Sequence, residues 1–379
     1  MAVQSSAPAQ SAPVLSMRMR NFLIAASLTL FSLLLLTAFL SPFSYMAATS
    51  FKDNDQITDP TSPLWPGRPA VYVHKGETVT YDFAYKEKAD SVTLNPGDEF
   101  DLHSVPDENG NLRSWALVVK RRGVSFFIDP GNPGAGLIEW EGEWRTLQPA
   151  YQLSLRWENF VKAWNDLKFL RVLRNTLIIA IGGDIGTLLS CTLVAYGFSR
   201  FRFPGKDVFL VILISSIILP GFVTLIPTYA LFQRLGWVGT YAPLIIPHFF
   251  ANAYNVFLLR QYFLTIPKEM DEAAMIDGAS PFRTLLSVIL PQSIPVVVAV
   301  AVFHFIWAWN DYFGPLIYLS TKPELQPLSV AIQYYNQQYV RQLFMVQATA
   351  MLGLVVPVVI FFIAQRAFMR GVVVTGVEK

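Results

Sequence analysis

Six long stretches of this sequence are nearly free of charged side chains, and they restrict the fold more than any other feature. A segment that crosses the hydrocarbon core of a bilayer needs about 20 mostly apolar residues, and a charge within it is costly. A helix satisfies its own backbone hydrogen bonds in lipid, whereas the strands of a barrel would be shorter and would alternate in polarity. The sequence therefore predicts an all-α transmembrane fold with six helices. The stretches lie between Arg20 and Lys52, Arg174 and Arg200, Asp207 and Arg234, Arg234 and Arg260, Arg283 and Asp311, and Arg341 and Arg366.

Composition supports a membrane protein and weakens several other classes. Of the 379 residues, 53% are hydrophobic and only 15% are charged, which is too apolar for an ordinary soluble chain of this length. The net charge is only +2, and the sole basic tract, "KRR" at 120–122, gives nucleic-acid binding no electrostatic support. Because Cys191 is the single cysteine, a disulfide within the chain is impossible.

The charge pattern also predicts how the chain is oriented. Residues 1–20 are expected to form a disordered cytoplasmic N-terminus, and residues 21–50 to form helix 1, an uncleaved anchor that is too long for the core of a signal peptide. Short loops that are rich in lysine and arginine usually lie on the cytoplasmic side. Applied to this sequence, the rule predicts that both termini are cytoplasmic, with residues 367–379 as a C-terminal tail. Lys168, Arg171 and Arg174 conflict with this orientation, since they precede the second span on the outer side.

Residues 51–150 are predicted to be a soluble, β-rich, extracytoplasmic insert between helices 1 and 2. The segments "AVYVH" and "TVTYDFAY" flank Lys75, Gly76 and Glu77, and "SWALVV" and "VSFFID" flank "KRRG", as in two β-hairpins. The later "DPGNPGAGLIEWEGEW" would be either a ligand-contacting loop or, with more support, ordinary connections with aromatic packing. The following "LRWENFVKAWNDLKFLRVLRNT" is typical of one amphipathic helix on the outer membrane surface.

Between the fourth and fifth apolar stretches lies a polar segment, residues 267–291, that is too acidic to cross a membrane comfortably. Pro267 and the acids of "KEMDE" suit the start of a short helix, because negative charge is favourable near the N-terminal end of the helix dipole. Gly278 ends that helix, and Ser280 followed by Pro281 is typical of the cap and first turn of a second one. The segment is therefore predicted to be a helix, a tight turn and a helix. A plain solvated connector is the alternative.

This segment carries a motif that resembles a known family. The spacing E-A-A, three residues, G, nine residues, I-x-L-P is the cytoplasmic loop signature of permease subunits of binding-protein-dependent ABC importers. "AYGFSRFRFPGK", "FIWAWNDYFGPLIYL" and "AQRAFMRGVVVTGVEK" add to the similarity, which is to the sugar-permease branch that includes the maltose permease G-type subunit. The motif residues are Glu272, Ala273, Ala274, Gly278, Val288 (in place of isoleucine), Leu290 and Pro291.

The resemblance implies a type I importer permease that is a transport subunit and not itself an enzyme. Such a subunit lies in a prokaryotic cytoplasmic (inner) membrane with a second permease subunit, a homodimeric ABC ATPase and an extracytoplasmic sugar-binding protein. No cofactor is expected on this chain; ATP and magnesium would be bound by the ATPase, in keeping with the absence of a G-x-x-x-x-G-K-[ST] phosphate loop here. Residues 151–366 would form the permease core, with transmembrane helices 2–6.

Within this resemblance, the motif is the coupling loop, which fits a groove of the ATPase. Glu272 would contact or orient at that groove, Ala273 and Ala274 would permit close packing, and Gly278 would set the turn. Asp277, Leu290 and Pro291 belong to the same loop.

Two further sets of residues are candidates with weaker support. Asp184, Asn310 and Asp311 are candidates for the translocation pathway; a hydrogen-bonded packing role for Asp184 and anchoring at the membrane interface for the other two are the alternatives. Tyr334, Tyr335 and Asn336 lie in a segment that aligns with a binding-protein contact of the family, with simple loop packing as the alternative.

The histidines and the insert leave other possibilities open. His74, His103, His248 and His304 are scattered along the sequence without metal-ligand spacing, so each is predicted to be structural. Relatives in this branch usually lack the long insert, so the resemblance gives it no role. A second functional hypothesis is therefore a membrane-anchored ligand sensor or assembly scaffold that uses the β domain.

Overall fold

The computed structural model describes residues 17–60, 62–85, 88–107, 110–337 and 340–374. Helix α1 begins at Met17, so the last four residues of the predicted disordered N-terminus are helical, while residues 1–16 lie outside the described residues. At the other end the last helix continues to Val374, beyond the predicted start of a tail at 367, and residues 375–379 lie outside the described residues.

The described part of the chain contains fifteen α-helices, most of them after the insert. They are α1 (Met17–Ser50), α2 (Asn54–Thr58), α3 (Glu158–Asp166), α4 (Phe169–Arg200), α5 (Lys206–Ser215), α6 (Gly221–Arg234), α7 (Ala242–Ile245), α8 (Ala253–Thr265), α9 (Glu269–Ile276), α10 (Pro281–Thr284), α11 (Leu290–Gln292), α12 (Ile294–Asn310), α13 (Phe313–Tyr318), α14 (Leu328–Ala331) and α15 (Leu343–Val374).

Four helical segments are long and apolar enough to cross a membrane among the described residues: Met17–Ser50, Phe169–Arg200, Ala242–Thr265 and Leu343–Arg366. Two more candidates are bent pairs, Lys206–Ile218 with Gly221–Arg234 at 98° and Pro281–Gln292 with Ile294–Asn310 at 82°. Pro220 lies within the first break, as expected because proline disfavours a helical residue before it, and Pro295 lies in the first turn of α12 just after the second break, where proline is tolerated. The six predicted spans coincide with these elements only if each bent pair is one span, so the count of six stays a prediction.

Glycines on α4 allow the bundle to pack closely at its centre. A Cβ atom at Gly183 would lie 2.8 Å from His304 Nε2, and one at Gly186 would lie 2.6 Å from a ring carbon of Phe249. The 3₁₀ turn Ile246–Phe250 therefore approaches the α4 backbone directly. Small residues at helix interfaces serve this purpose in membrane bundles, where close van der Waals contact drives association.

The insert is built on a sheet in which the strands follow the order β2-β5-β6-β7-β8, with β9 also paired to β5. A hairpin, β3-β4, and a short pair, β1-β10, complete it. The strands are β1 (Gly67–Pro69), β2 (Val71–Val73), β3 (Val79–Tyr85), β4 (Lys88–Leu94), β5 (Glu99–Pro106), β6 (Leu112–Lys120), β7 (Val124–Ile128), β8 (Ile138–Glu141), β9 (Gln148–Pro149) and β10 (Tyr151–Leu153).

One predicted hairpin is correct and the other is wrong. Strands β6 and β7 pair antiparallel across "KRRG", as predicted. In contrast, β2 pairs with β5 and β3 pairs with β4, so the two strands that flank Lys75–Glu77 do not pair with each other. The pattern located both strands, but the local turn signal did not reveal that β2 joins a distant partner.

The central strands bury side chains on both faces of the sheet. Because neighbouring residues of a strand point to opposite faces, Phe127 and Ile128 enter two separate cores. Hairpin β3-β4 covers one core through Leu94, and Trp140 and Trp144 pack over the other. These tryptophans therefore have a structural place in the insert, which supports the aromatic-packing interpretation of the glycine-rich segment.

Buried hydrogen bonds tie the base of the insert to the end of α1. Asn159 Nδ2 donates to the carbonyl oxygens of Ser50 and Lys52, both at 2.8 Å, and Lys52 Nζ donates to Pro63 O at 2.8 Å. Gln56 Nε2 donates to Trp65 O at 2.8 Å. The predicted single amphipathic helix is broken here, because Lys168 has a φ of 50° and separates α3 from α4.

A candidate coupling segment and two cavities in the bundle

The predicted helix–turn–helix lies at 269–292 and is referred to below as the coupling segment. Helix α9 ends before Gly278, whose φ of +77° is in the left-handed region that favours glycine. Ser280 then caps the next helix by accepting a hydrogen bond from Arg283 N, and Pro281 occupies the first helical position. A π-helical stretch, Leu285–Ile289, leads into α11. Both the turn chemistry and its position follow the sequence prediction.

An ion pair between mostly buried side chains joins the coupling segment to the end of α4. Arg200 Nε lies 2.8 Å from Asp271 Oδ2, and the two side chains are 6% and 14% exposed. Arg200 also donates a hydrogen bond from Nη2 to Ile266 O at 2.9 Å, and Tyr196 Oη donates to Pro281 O at 3.1 Å. Burial raises the pKa of the Asp271 carboxyl, and Arg200 opposes that rise. The sequence analysis missed this attachment, since nothing in the sequence pairs residues 71 positions apart.

The predicted coupling residues do not all face outward. Glu272, Ala273, Asp277, Gly278 and Pro291 are exposed. Ala274 is only 8% exposed, so the close packing that it permits is within its own chain, and a role for both alanines at a partner surface stays a prediction. Leu290 is half-buried against the core formed by α4, α8 and α12. Glu272 also lines a cavity of about 340 Å³ together with Arg200, Arg202 and Lys268.

Large apolar side chains project from the coupling segment and are mostly exposed. Met275, Ile276 and Phe282 are 58%, 86% and 60% exposed. They lie on both sides of the Gly278 turn, amid the charged residues of the segment. The signal for this surface was present in the sequence, as apolar residues in a segment too polar to enter the membrane.

The three candidate pathway residues are not brought together. Asp311 lines a cavity of about 590 Å³ beside α12, and its Oδ1 accepts a hydrogen bond from Gly314 N at 3.2 Å. Asn310 is exposed and donates a hydrogen bond to Ile306 O at 2.7 Å. Asp184 is half-buried on α4 and lines neither this cavity nor the neighbouring one described below. Asp311 therefore remains a candidate for the translocation pathway because it lines the cavity, whereas Asp184 does not line it.

A cluster of two histidines and a tryptophan, which the sequence analysis missed, lies in the same region. The rings of His248 and His304 are 4.6 Å apart, and Trp307 lies 5.6 Å from the first and 5.7 Å from the second. The two histidines are 56 residues apart in sequence, so they appeared scattered. Their location within apolar stretches was the available signal, since ionisable side chains are rare there.

In the loop before α15, the three candidate contact residues differ in exposure. Tyr334 is 57% exposed, and Asn336 is exposed beside the short pair β11 (Asn336–Gln337) and β12 (Val340–Arg341). Tyr335 is only 3% exposed; its Oη donates a hydrogen bond to Asp166 Oδ2 at 3.1 Å, and its ring packs with Met345. The burial of Tyr335 favours the alternative of loop packing for this residue, in which its side chain holds the loop against α3.

Comparison with known proteins identifies the class of this bundle. The family described as "Binding-protein-dependent transport system inner membrane component" matches residues 187–374, which include the coupling segment and, apart from Ile179, the residues that line the 590 Å³ cavity. The sn-glycerol-3-phosphate transport system permease protein UgpE of Shigella flexneri is 35% identical over 219 residues, which cover 57% of this chain and 77% of that protein. The chain belongs to this family.

Other relatives of this inner membrane component extend the comparison. The osmoprotective compounds uptake permease protein GgtD of Synechocystis sp. is 31% identical over 209 residues, or 54% of this chain and 69% of that protein. A chain from a solved bacterial ABC transporter involved in the import of the acidic polysaccharide alginate superposes with a TM-score of 0.60 at 18% identity, over 94% of this chain and 100% of that chain. The similarity to that structure shows a shared ABC importer permease fold.

The family match covers only part of the chain. It begins at Thr187, in the middle of α4, and therefore includes the Arg200–Asp271 pair but not the insert. As a member of a family of transport components, this chain has a membrane transport role, and the parts most directly tied to that role lie in its second half.

Proposed function

We propose that this chain is one of two permease subunits of an ATP-driven importer and that the coupling segment docks onto a separate ABC ATPase. Closure of the ATPase dimer would move the segment, and the bundle would alternate between inward-facing and outward-facing states. The chain would bind no ATP itself, and ATP and magnesium would be held by the partner ATPase. Both termini and the coupling segment would lie in the cytoplasm, with the insert on the opposite side.

One observation carries the docking proposal: the coupling segment is fixed to the bundle on one side and exposes apolar side chains on the other. The Arg200–Asp271 pair and the Tyr196 hydrogen bond join it to α4, so a displacement of the segment is passed to a membrane helix. Ile276, at 86% exposure, would gain about 1.5–3 kcal/mol by full burial in a partner groove.

We propose a small hydroxylated solute, a sugar or a sugar derivative, as the substrate. The permeases GgtD and UgpE are named for osmoprotective compounds and for sn-glycerol-3-phosphate, and both match this chain over the family core. An extracytoplasmic binding protein would deliver the solute, as the family description indicates. Tyr334 and Asn336 would meet that protein, and the adjacent insert would assist its docking.

The docking proposal is tested by the substitution Ile276→Asp in the complete importer. Loss of the buried side chain should weaken ATPase binding about tenfold to a hundredfold, since each tenfold change corresponds to about 1.4 kcal/mol. Co-purification of the ATPase and binding-protein-dependent uptake would both be measured. Leu112→Asp is the matched control, because Leu112 is similarly exposed, at 72%, but lies on the insert.

The two variants together separate docking from general damage. Both should reach the membrane in wild-type amounts, and only Ile276→Asp should lose the ATPase. If Ile276→Asp retains the ATPase and full uptake, the docking surface lies elsewhere. If the wild-type chain never co-purifies with an ATPase or a second permease, a sensor or scaffold role gains support instead.

A further inference from the structure

Two cavities adjoin each other in the bundle and share part of their lining. The first, about 590 Å³, is lined by Asp311 and by aromatic side chains that include Phe232 and Tyr318. The second, about 380 Å³, is lined by Asn252, Tyr254, Asn255, Phe303 and His304. His248 and Trp307 line both. Each volume lies within the range of small-molecule sites, about 300–1,000 Å³.

The residues around the second cavity are polar in a part of the chain where lipid contact would not favour them. Asn252, Asn255, His248 and His304 all belong to segments flanked by apolar helices, and Asn255 and His304 are 7% and 6% exposed. Polar side chains within a membrane bundle commonly face its interior or a water-filled cavity. By comparison, the groove along Leu170, Ile178 and Ile185 of α4 has an apolar lining apart from Arg174.

The same residues also have the chemistry that binds hydroxylated solutes. Aromatic rings provide flat apolar faces, while amides and neutral imidazoles donate and accept hydrogen bonds in fixed directions. Trp307 is 56% exposed between the two cavities, and its ring contacts both histidines. Among the residues that the structure describes, no carboxylate, lysine or arginine side chain lines the second cavity. Such a lining favours an uncharged solute over an ion.

We propose that the His248–His304–Trp307 cluster is a solute subsite of the translocation path, which holds an uncharged saccharide or polyol between the two cavities. This inference rests on the proposed import function and adds the residues and the charge class of the solute. The rings of Trp307 and Tyr254 would stack against the apolar faces of the solute, and Asn252, Asn255 and the imidazoles would bind its hydroxyl groups. Asp311 would mark the adjoining cavity toward the end of α12.

The sequence offers a direct test, because the sole native cysteine is buried. Cys191 has no exposed surface, so the wild-type chain serves as the unreactive blank for a membrane-impermeant cationic methanethiosulfonate. Tyr254→Cys and Trp307→Cys would place thiols at the subsite. Leu34→Cys on α1 is the matched control, since Leu34 is 64% exposed and lies on a helix whose central residues are all exposed. The complete importer would be labelled in proteoliposomes.

The expected result has two parts. Both subsite thiols should react with the impermeant reagent while the α1 thiol does not, and sucrose or trehalose should reduce labelling at the subsite in a concentration-dependent way. If none of the three thiols reacts with the impermeant reagent, as expected for thiols that face lipid, the proposed subsite is wrong. Labelling that is reduced only by glycerol 3-phosphate, and not by the uncharged sugars, would overturn the charge class.

A second measurement keeps this inference separate from the import function. ATP-driven, binding-protein-dependent uptake by the unmodified importer tests the proposed function by itself. If uptake occurs and no uncharged saccharide or polyol protects the thiols, the subsite fails while the import function stands. In uptake assays, Trp307→Leu should raise KM more than Trp307→Phe does, because only the phenylalanine variant retains a ring for stacking; equal KM values for the two variants would contradict the proposed stacking role.

Discussion

The insert buries large apolar side chains in cores of its own, whereas the coupling segment leaves several of its apolar side chains exposed. The insert encloses Phe127 and Ile128 in two cores of its own, on the two faces of one sheet. The coupling segment is fixed through Arg200 and Asp271 but leaves Ile276 and Phe282 exposed. The insert is stabilised by cores of its own, whereas the exposed side chains of the coupling segment are those that we propose a partner buries. The comparison contrasts a region with its own cores and a segment proposed to dock.

The largest expected effect concerns the buried core of the insert. Phe127→Ala should lower the free energy of unfolding of the insert by about 3–5 kcal/mol, because it leaves a cavity in a fully buried core. Limited proteolysis of the full-length protein in membranes would show faster cleavage within the insert. Leu112→Ala, at an exposed position, should change stability by less than about 0.5 kcal/mol. If the Phe127→Ala variant also lost its coupling to the ATPase, the two regions would not be independent.

The next effect concerns the attachment of the coupling segment. Arg200→Gln should lower the free energy of unfolding by about 3 kcal/mol, because it leaves the largely buried Asp271 carboxylate without its cation. The ratio of solute uptake to ATP hydrolysis should fall, while the insert remains resistant to protease. The double variant Arg200→Gln/Asp271→Asn should recover part of the loss, since it removes both charges. A double variant as defective as Arg200→Gln would mean that the unpaired Asp271 carboxylate is not the cause of the defect.

A smaller effect is expected at the turn of the coupling segment. Gly278→Ala should destabilise the turn by about 1–2 kcal/mol, because a Cβ atom is unfavourable at a φ of +77° even though no neighbouring atom would touch it. Gly197→Ala is the matched control: its Cβ would also meet no neighbour, but it lies within α4, where alanine is favoured. ATPase affinity should fall only for the first variant. Equal affinities would show that the turn geometry is not needed for docking.

The smallest expected effect is a pH dependence confined to the insert. Burial lowers the pKa of His103 below its ordinary value of 6.5, with Asp101 opposing the shift and Lys120 adding to it. The unfolded chain therefore takes up a proton more readily, so the free energy of unfolding should fall as pH decreases below about 6.5. Protease resistance measured against pH would reveal this, and His103→Asn should flatten the profile. Docking of the coupling segment should not follow the same curve.

The success of the sequence predictions depended on whether the signal was local. The turn of the coupling segment was predicted because Gly278, Ser280 and Pro281 each dictate backbone geometry within a few residues. The strand pairing of β2 with β5 was missed, because it depends on contacts across the sheet rather than on the nearby turn. Hydrophobic length alone could not indicate the 98° and 82° breaks in two of the apolar stretches.

The candidate site shows the same limit. Individual residues such as Asp311 were found because they interrupt an apolar stretch, but their grouping was not. His248 and His304 face each other only because Gly183 lets α4 approach them both closely. Tyr335 was a candidate contact because its segment aligns with a binding-protein contact of the family, but its hydroxyl group is directed inward to Asp166, which favours the alternative of loop packing. Burial, unlike residue type, depends on the whole fold.

The hydrogen bonds at the base of the insert have a mechanical consequence. Asn159, on α3, is bonded to the last turn of α1 and to Lys52, and α3 also contacts α15. The insert is thus clamped at its root and cannot swivel freely on a loose tether. A force that acts on the far end of the insert would therefore be transmitted to α1 and α15 together.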